Sequence, residues 1–208
     1  MLQAIADVRD LAWGGQHEAA LVRAAAALPA ASAAAERLAL HDLRVESLIA
    51  LGQFADAEAE AEAMQPLARG KGPALQALAL NARALVQMKQ GRFRPAVDGG
   101  QQAVAAARRA GDVRLLARCL RGLGEAQMRA RQGAAGVATA QEALALAEQL
   151  GDATGRGRAH WVIAVALNTL GQTELSRPHA EQAAHWARQA GDDLGLGNAL
   201  NSLGTASV

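Results

Sequence analysis

This chain encodes an all-α array of helix hairpins, and three features say so. Half of its 208 residues (51%) are hydrophobic, yet only 2% are aromatic and there is no Tyr. The apolar half is mostly 54 Ala and 28 Leu. These are strong helix formers, whereas the β-branched and aromatic residues that favour strands are scarce. Second, apolar side chains recur at three- and four-residue intervals, as in Leu116, Leu120 and Leu123, then Ala140, Ala143, Leu144 and Ala147. That is one-faced amphipathicity at helical period. Third, Gly-Asp pairs return every 40 residues, at Gly111-Asp112, Gly151-Asp152 and Gly191-Asp192. Such a fixed period is the signature of a repeat array.

The elements follow in order. Each Gly-Asp pair ends an Ala-rich run: QQAVAAARRA, QEALALAEQL and EQAAHWARQA. Gly just past such a run is a helix C-cap, and the Asp after it can cap the next helix. A second series, Gly91, Arg131 and Gly171, is also spaced by 40 and marks the tight turn inside each unit. Arg131 breaks this series, and Gly133 is expected to take over the turn. Between the Gly-Asp pairs, one helix runs through VRLLARCLRGLGEAQMRARQ and the next through AAGVATAQEALALAEQL. Upstream, one turn is expected at Gly52 and another at Gly14-Gly15, and RGKGP at 69–73 replaces the Gly-Asp linker. The units fall at about 1–32, 33–72, 73–111, 112–151 and 152–191, with a partial unit at 192–208, all in one domain. The expected total is about nine helices, four pairs and one extra. The last helix, 194–206, stands without a polar cap. It is expected to pack against another molecule, as in a homodimer, or to continue into a longer chain.

Composition excludes several classes. All-β, collagen-like and Cys-stapled chains do not fit these counts. A lone Cys119 cannot form an intramolecular disulfide, which points to a reducing, cytoplasmic setting, and it reads as small filler on a buried helix face. The start, MLQAIADVRD, is no signal peptide. No stretch nears the ~18 apolar residues of a membrane span. The net charge of +1 hides a gradient: residues 1–70 hold 10 acids and 5 bases, and residues 71–208 hold 10 acids and 16 bases.

The repeating residues resemble tetratricopeptide repeats (TPR). The small residue of the family's first helix falls at Ala84, Gly124, Ala164 and Gly204, with Leu123, Ile163 and Leu203 just before. The small residue of its second helix falls at Ala96, Gly136 and Ser176, and a later Ala at Ala103, Ala143 and Ala183. The period exceeds the family's usual ~34. The aromatic anchors are replaced by Leu80, Leu120 and His160, Arg83 breaks a Leu position, and the closing Pro is absent. These departures resemble the longer variant of bacterial regulatory proteins, often fused to a cyclase, a diguanylate cyclase or a DNA-binding output domain. The resemblance implies a right-handed superhelical solenoid whose first helices line a concave groove.

Transferred position by position, that groove is lined by Asn81, Arg121, Trp161 and Asn201. A second row is Arg118, Arg158 and Asn198, beside Leu78. A third is Met88, Met128 and Asn168, flanked by Lys89, Arg129 and Thr169. The second unit would add Asp42, Glu46 and Ile49. Arg with an aromatic residue and Met suits a peptide or helix bearing carboxylates. Arg121→Ala and Trp161→Ala are expected to weaken binding with melting nearly unchanged. The family's Lys and Asn clamp for a C-terminal carboxylate is not reproduced.

The chain therefore reads as a non-enzymatic scaffold that binds a protein or peptide, the sensory part of a bacterial regulator. No catalytic constellation, cofactor motif or metal-ligand spacing is present. The five His residues do not pair at spacings of three or four, and Asp56, Glu58, Glu60 and Glu62 read as a solvated helix face. The alternative is a nucleic-acid-binding repeat using Arg108, Arg109, Arg114, Arg118 and Arg121; few aromatics and no base-reading motif count against it.

Overall fold

Alanine-rich runs punctuated by glycine close into helices along the whole chain. In the computed structural model, which describes residues 1–205, every regular element among those residues is helical. Eleven α-helices follow one another: α1 Leu2–Trp13, α2 His17–Ala27, α3 Ala34–Ala50, α4 Phe54–Ala68, α5 Pro73–Lys89, α6 Phe93–Ala110, α7 Val113–Arg129, α8 Gly133–Leu150, α9 Ala153–Thr169, α10 Thr173–Ala190 and α11 Asp193–Thr205. They form five hairpins and one single helix, two helices more than the expected nine. The turn expected at Gly14-Gly15 is made by Gly15 (φ 75°), and each of the five complete units forms a pair, one more than the expected four. Among the described residues no helix is long and apolar enough to cross a membrane.

The chain divides into two compact units, Met1–Ala110 and Gly111–Val208. In the first, helices pack against their hairpin partners, and the first helices touch in the order α1, α3, α5. Its interior includes two clusters among the described residues. One is built on Val8, Ala20, Ala24, Leu40 and Leu43, the other on Leu38, Val45, Leu48, Met64 and Val86. In the second unit, α7, α9 and α11 touch in the same way. Its clusters combine Met128, Ala140, Val162, Ile163 and Ala166 with Ala183, Ala184 and Ala199. A helix pair of this length cannot bury its apolar face alone, so stability comes from neighbour-to-neighbour stacking.

Small residues set how closely these helices approach. A Cβ placed on Gly136 would lie 3.4 Å from the backbone nitrogen of Met128, and one on Gly157 would lie 3.3 Å from that of Ala187. Both contacts are with backbone, which cannot swing aside. Ser176 takes the small position on α10, and its buried hydroxyl donates to the Ala164 carbonyl at 2.9 Å.

The linkers follow the expected chemistry. The carboxylates of Asp112, Asp152 and Asp192 accept from the backbone N–H of Leu115, Gly155 and Gly195 at 2.9–3.0 Å. Gly151 and Gly191 adopt the left-handed conformation that ends α8 and α10. The turn inside the fourth hairpin departs from expectation. Arg131 itself takes φ 60°, beside φ 77° at Gly91 and 73° at Gly171. Gly133 does not take over the turn; it starts α8 and is buried, with Leu170 3.0 Å from where its Cβ would be. A left-handed Arg is strained, yet the helix ends on both sides demand that backbone.

Candidate functional site

Arg114, Arg118 and Arg121 sit at i, i+4 and i+7 on α7, so one helix face carries all three. They line a cavity of about 170 Å³ in the second unit. Its other walls are Ala117, Ala143, Ala147, Leu150, Asp152 and Gly155. The alanines leave the space, since a larger side chain at those positions would fill it. Asp152 is the one carboxylate in this lining, and it already accepts the Gly155 N–H as the cap of α9. Guanidinium groups of this kind match the fork geometry of a carboxylate.

The corresponding place one repeat later is built differently. Arg158, the counterpart of Arg118, meets Asp192 at 3.2 Å. Thr154 and Trp161 stand where α7 has Arg114 and Arg121. The triple-Arg face thus belongs to α7, not to the repeat.

The remaining expected residues divide by burial. In the first unit, Lys89 is exposed, whereas Asn81 (5% exposed) and Met88 (3%) are buried. In the second, Met128 (7%) is buried in the cluster with Val162 and Ile163. These three residues pack inside their units and offer a ligand almost no surface. Arg129 is exposed and pairs with Glu125 at 3.2 Å. Asn198 is half-buried and Asn201 exposed. Asn168 is half-buried, and its Oδ1 is buried without a hydrogen-bond partner. Of the neighbouring acidic row, Asp42 is buried and Glu46 half-buried.

Trp161 corrects one expectation. Its ring packs on both clusters of the second unit, beside Ala183, Ala184 and Ala199 as well as Val162 and Ile163. Trp161→Ala would open a void there, so melting would not stay unchanged.

Four polar arrangements escaped the sequence reading. In the first unit, His41 Nδ1 donates to Glu60 at 2.6 Å, and Arg44 pairs with the same carboxylate at 2.7 Å. Burial pushes the Glu60 carboxyl up, but the hydrogen bonds from His41 and Arg44 outweigh it and hold it below the ordinary 4.5. Glu58 is likewise bonded by Gln90 and Arg92, which lower it. So Glu58 and Glu60 clip helices together, whereas Asp56 and Glu62 do lie on the exposed face. In the second unit, Arg156 lies over the Trp186 ring at 4.5 Å. There too, His160 and His179 face each other with Nδ1 atoms 2.9 Å apart. The signal was a spacing of 19, shared by His41–Glu60 and His160–His179, which brings residues face to face across a hairpin.

No family profile and no curated protein sequence matches this chain. Solved structures do. A Rap protein complexed with competence and sporulation factor aligns with TM-score 0.75 and 16% identity over 99% of this chain. The chain has a TPR-like fold. A putative kinesin light chain from Podosopora anserina with nearly identical TPR-like repeats aligns with TM-score 0.64 and 17% identity, covering 90% of this chain and 94% of that one. BtubC (BKLC) from P. vanneervenii aligns with TM-score 0.67 and 15% identity, covering 98% and 79%. This TPR-like chain spans 59% of the length of the Rap protein.

Proposed function

We propose that this chain is a non-enzymatic binding scaffold that takes an acidic peptide or protein segment on the first helices of its second unit. The observation that carries the reading is the cavity lined by Arg114, Arg118 and Arg121 on one face of α7. Guanidinium forks match carboxylate geometry, and an alanine floor accepts a small apolar side chain next to it. Likeness to a Rap protein complexed with competence and sporulation factor supports a binding role. The resemblance to the longer bacterial repeat variant extends this to the sensory part of a larger cytoplasmic signalling protein.

The test is fluorescence anisotropy with a labelled peptide alternating Glu and Leu, and with its Gln counterpart. The Glu peptide is expected to bind at least about tenfold tighter, and Arg118→Gln or Arg121→Gln to lose about as much, equivalent to one charged hydrogen bond. Arg188→Gln, on the exposed side of α10, leaves binding unchanged. Equal binding of the two peptides would sink this reading. Tighter binding of an oligonucleotide with a steep salt dependence would put the nucleic-acid alternative in its place.

A further inference from the structure

The two imidazoles of the second unit make an arrangement that the binding surface does not require. His160 lies on α9 and His179 on α10, the two arms of one hairpin. Their Nδ1 atoms are 2.9 Å apart and their ring centroids 5.2 Å apart. The centroid distance exceeds the nitrogen distance by about twice the centre-to-atom distance of an imidazole ring. The rings therefore point nitrogen to nitrogen along one line, tilted by 39°. That is the geometry of a direct N–H···N bond.

Such a bond needs a proton on one Nδ1 and a lone pair on the other. In the neutral pair, the donor ring carries its proton on Nδ1 and the acceptor ring carries its own on Nε2. A first added proton goes to the free Nε2 of the donor ring and leaves the bond intact. A second added proton has only the acceptor's Nδ1 lone pair to take. Two N–H groups then meet head on between two positive rings. We propose that His160 and His179 form a proton-operated latch, closed while the rings share one Nδ1 proton and opened, with the α9–α10 hairpin, when both rings are fully protonated.

The surroundings leave the pair to itself. On α10, Arg177 pairs with Glu181 at 3.4 Å, and the exposed His185 rests edge-on against Trp186. On α9, Arg156 covers Trp186 and Arg158 is held by Asp192, just ahead of α11. On α7, Arg129 pairs with Glu125. The groups that act on His160 are its own burial and His179, which together push it from the ordinary 6.5 down to about 4; burial lowers His179 as well. A His held down in the folded state costs stability as the pH falls. The unfolded chain takes up protons below 6.5, and the folded one resists until about 4. The contribution is thus complete above 6.5 and is lost between 6.5 and about 4.

The consequence reaches Trp161, the next residue along α9, whose ring packs against Ala183 and Ala184 of α10. Opening the hairpin exposes that ring.

The experiment follows the native chain from neutral pH down to about 4 by two readouts. One is NMR of the imidazole nitrogens, which reads tautomer and charge without any substitution. The other is the thermal midpoint, with Trp161 fluorescence read in a Trp13→Phe, Trp186→Phe background. Expected are one Nδ1-protonated and one Nε2-protonated ring at neutral pH, both titrations displaced below 6.5, and a fall in the midpoint with a red shift of Trp161 over the same range. The slope is expected to flatten in His179→Leu, and to persist in His185→Gln. Two independent titrations near 6.5, or an identical slope in native chain and His179→Leu, would overturn the latch. If His179→Leu fails to fold, the nitrogen spectra of the native chain decide alone.

Discussion

The two units use the same hairpin and both bury large side chains, Leu120, Val162 and Ile163 among them in the second, but they differ in how much they also lean on glycine. The first fills its interior with volume: Leu38, Leu40, Met64, Val8, Val45 and Val86 are all fully buried. The second adds points where volume is removed so that backbones can meet. Gly124, Gly133, Gly136, Gly155 and Gly157 are buried inside its helices, against Gly100 alone among the described residues of the first. Its linkers are also regular, with an Asp cap and a left-handed Gly at each step, whereas the first unit improvises with Leu-Pro-Ala at 28–30 and the glycines at 70 and 72. One repeat frame can therefore rest on packed side chains or on close backbones, and its weak points move accordingly.

The comparison breaks hardest at the core. Leu38→Ala should cost the first unit about 3 kcal/mol, because a fully buried Leu leaves a cavity that neighbours fill only in part. Hydrogen exchange should show that loss concentrated in α3 to α5. Gly157→Leu should cost the second unit about 2 kcal/mol through overpacking against the Ala187 backbone. If Gly157→Leu is neutral while Leu38→Ala is not, the close-backbone account of the second unit is wrong.

Smaller changes sharpen it. Arg131→Gly should stabilise by about 1 kcal/mol in chemical denaturation, since it relieves a left-handed Arg. The reverse change, Gly171→Arg, should cost a similar amount. The smallest effect is expected from Glu60→Gln, about 1 kcal/mol or less at neutral pH. Its pH dependence separates the units. Glu60 is held below 4.5, so its contribution is present above 4.5 and lost as the pH falls further. The His160–His179 contribution starts to be lost earlier, from 6.5 down to about 4. Acid unfolding monitored unit by unit should therefore loosen the second unit first. Simultaneous loss in both would count against separate acid-sensitive devices.

Much of this was readable before any coordinates. The three Gly-Asp linkers, the turn glycines at 52, 91 and 171 and the buried fate of Cys119 all follow from local rules. A helix end needs a left-handed residue and a side-chain cap whatever surrounds it. The candidate surface was legible only in part. Arg118 and Arg121, expected along a groove, line a cavity together with Arg114, which the sequence showed only as part of a basic run. Asn81, Met88 and Met128 were assigned to a surface and proved to be interior, because position in a repeat does not say how deeply the next helix covers it.

What the sequence settled by itself is thus the helical class, the repeat and its linkers, all consequences of interactions within a few residues. What only the tertiary structure decided is which groups meet across the hairpins: Glu60 with His41 and Arg44, His160 with His179, and Trp161 with the alanines of α10. Those contacts join residues on different helices. Their distances depend on the size of every small residue between the backbones, and no local pattern encodes that.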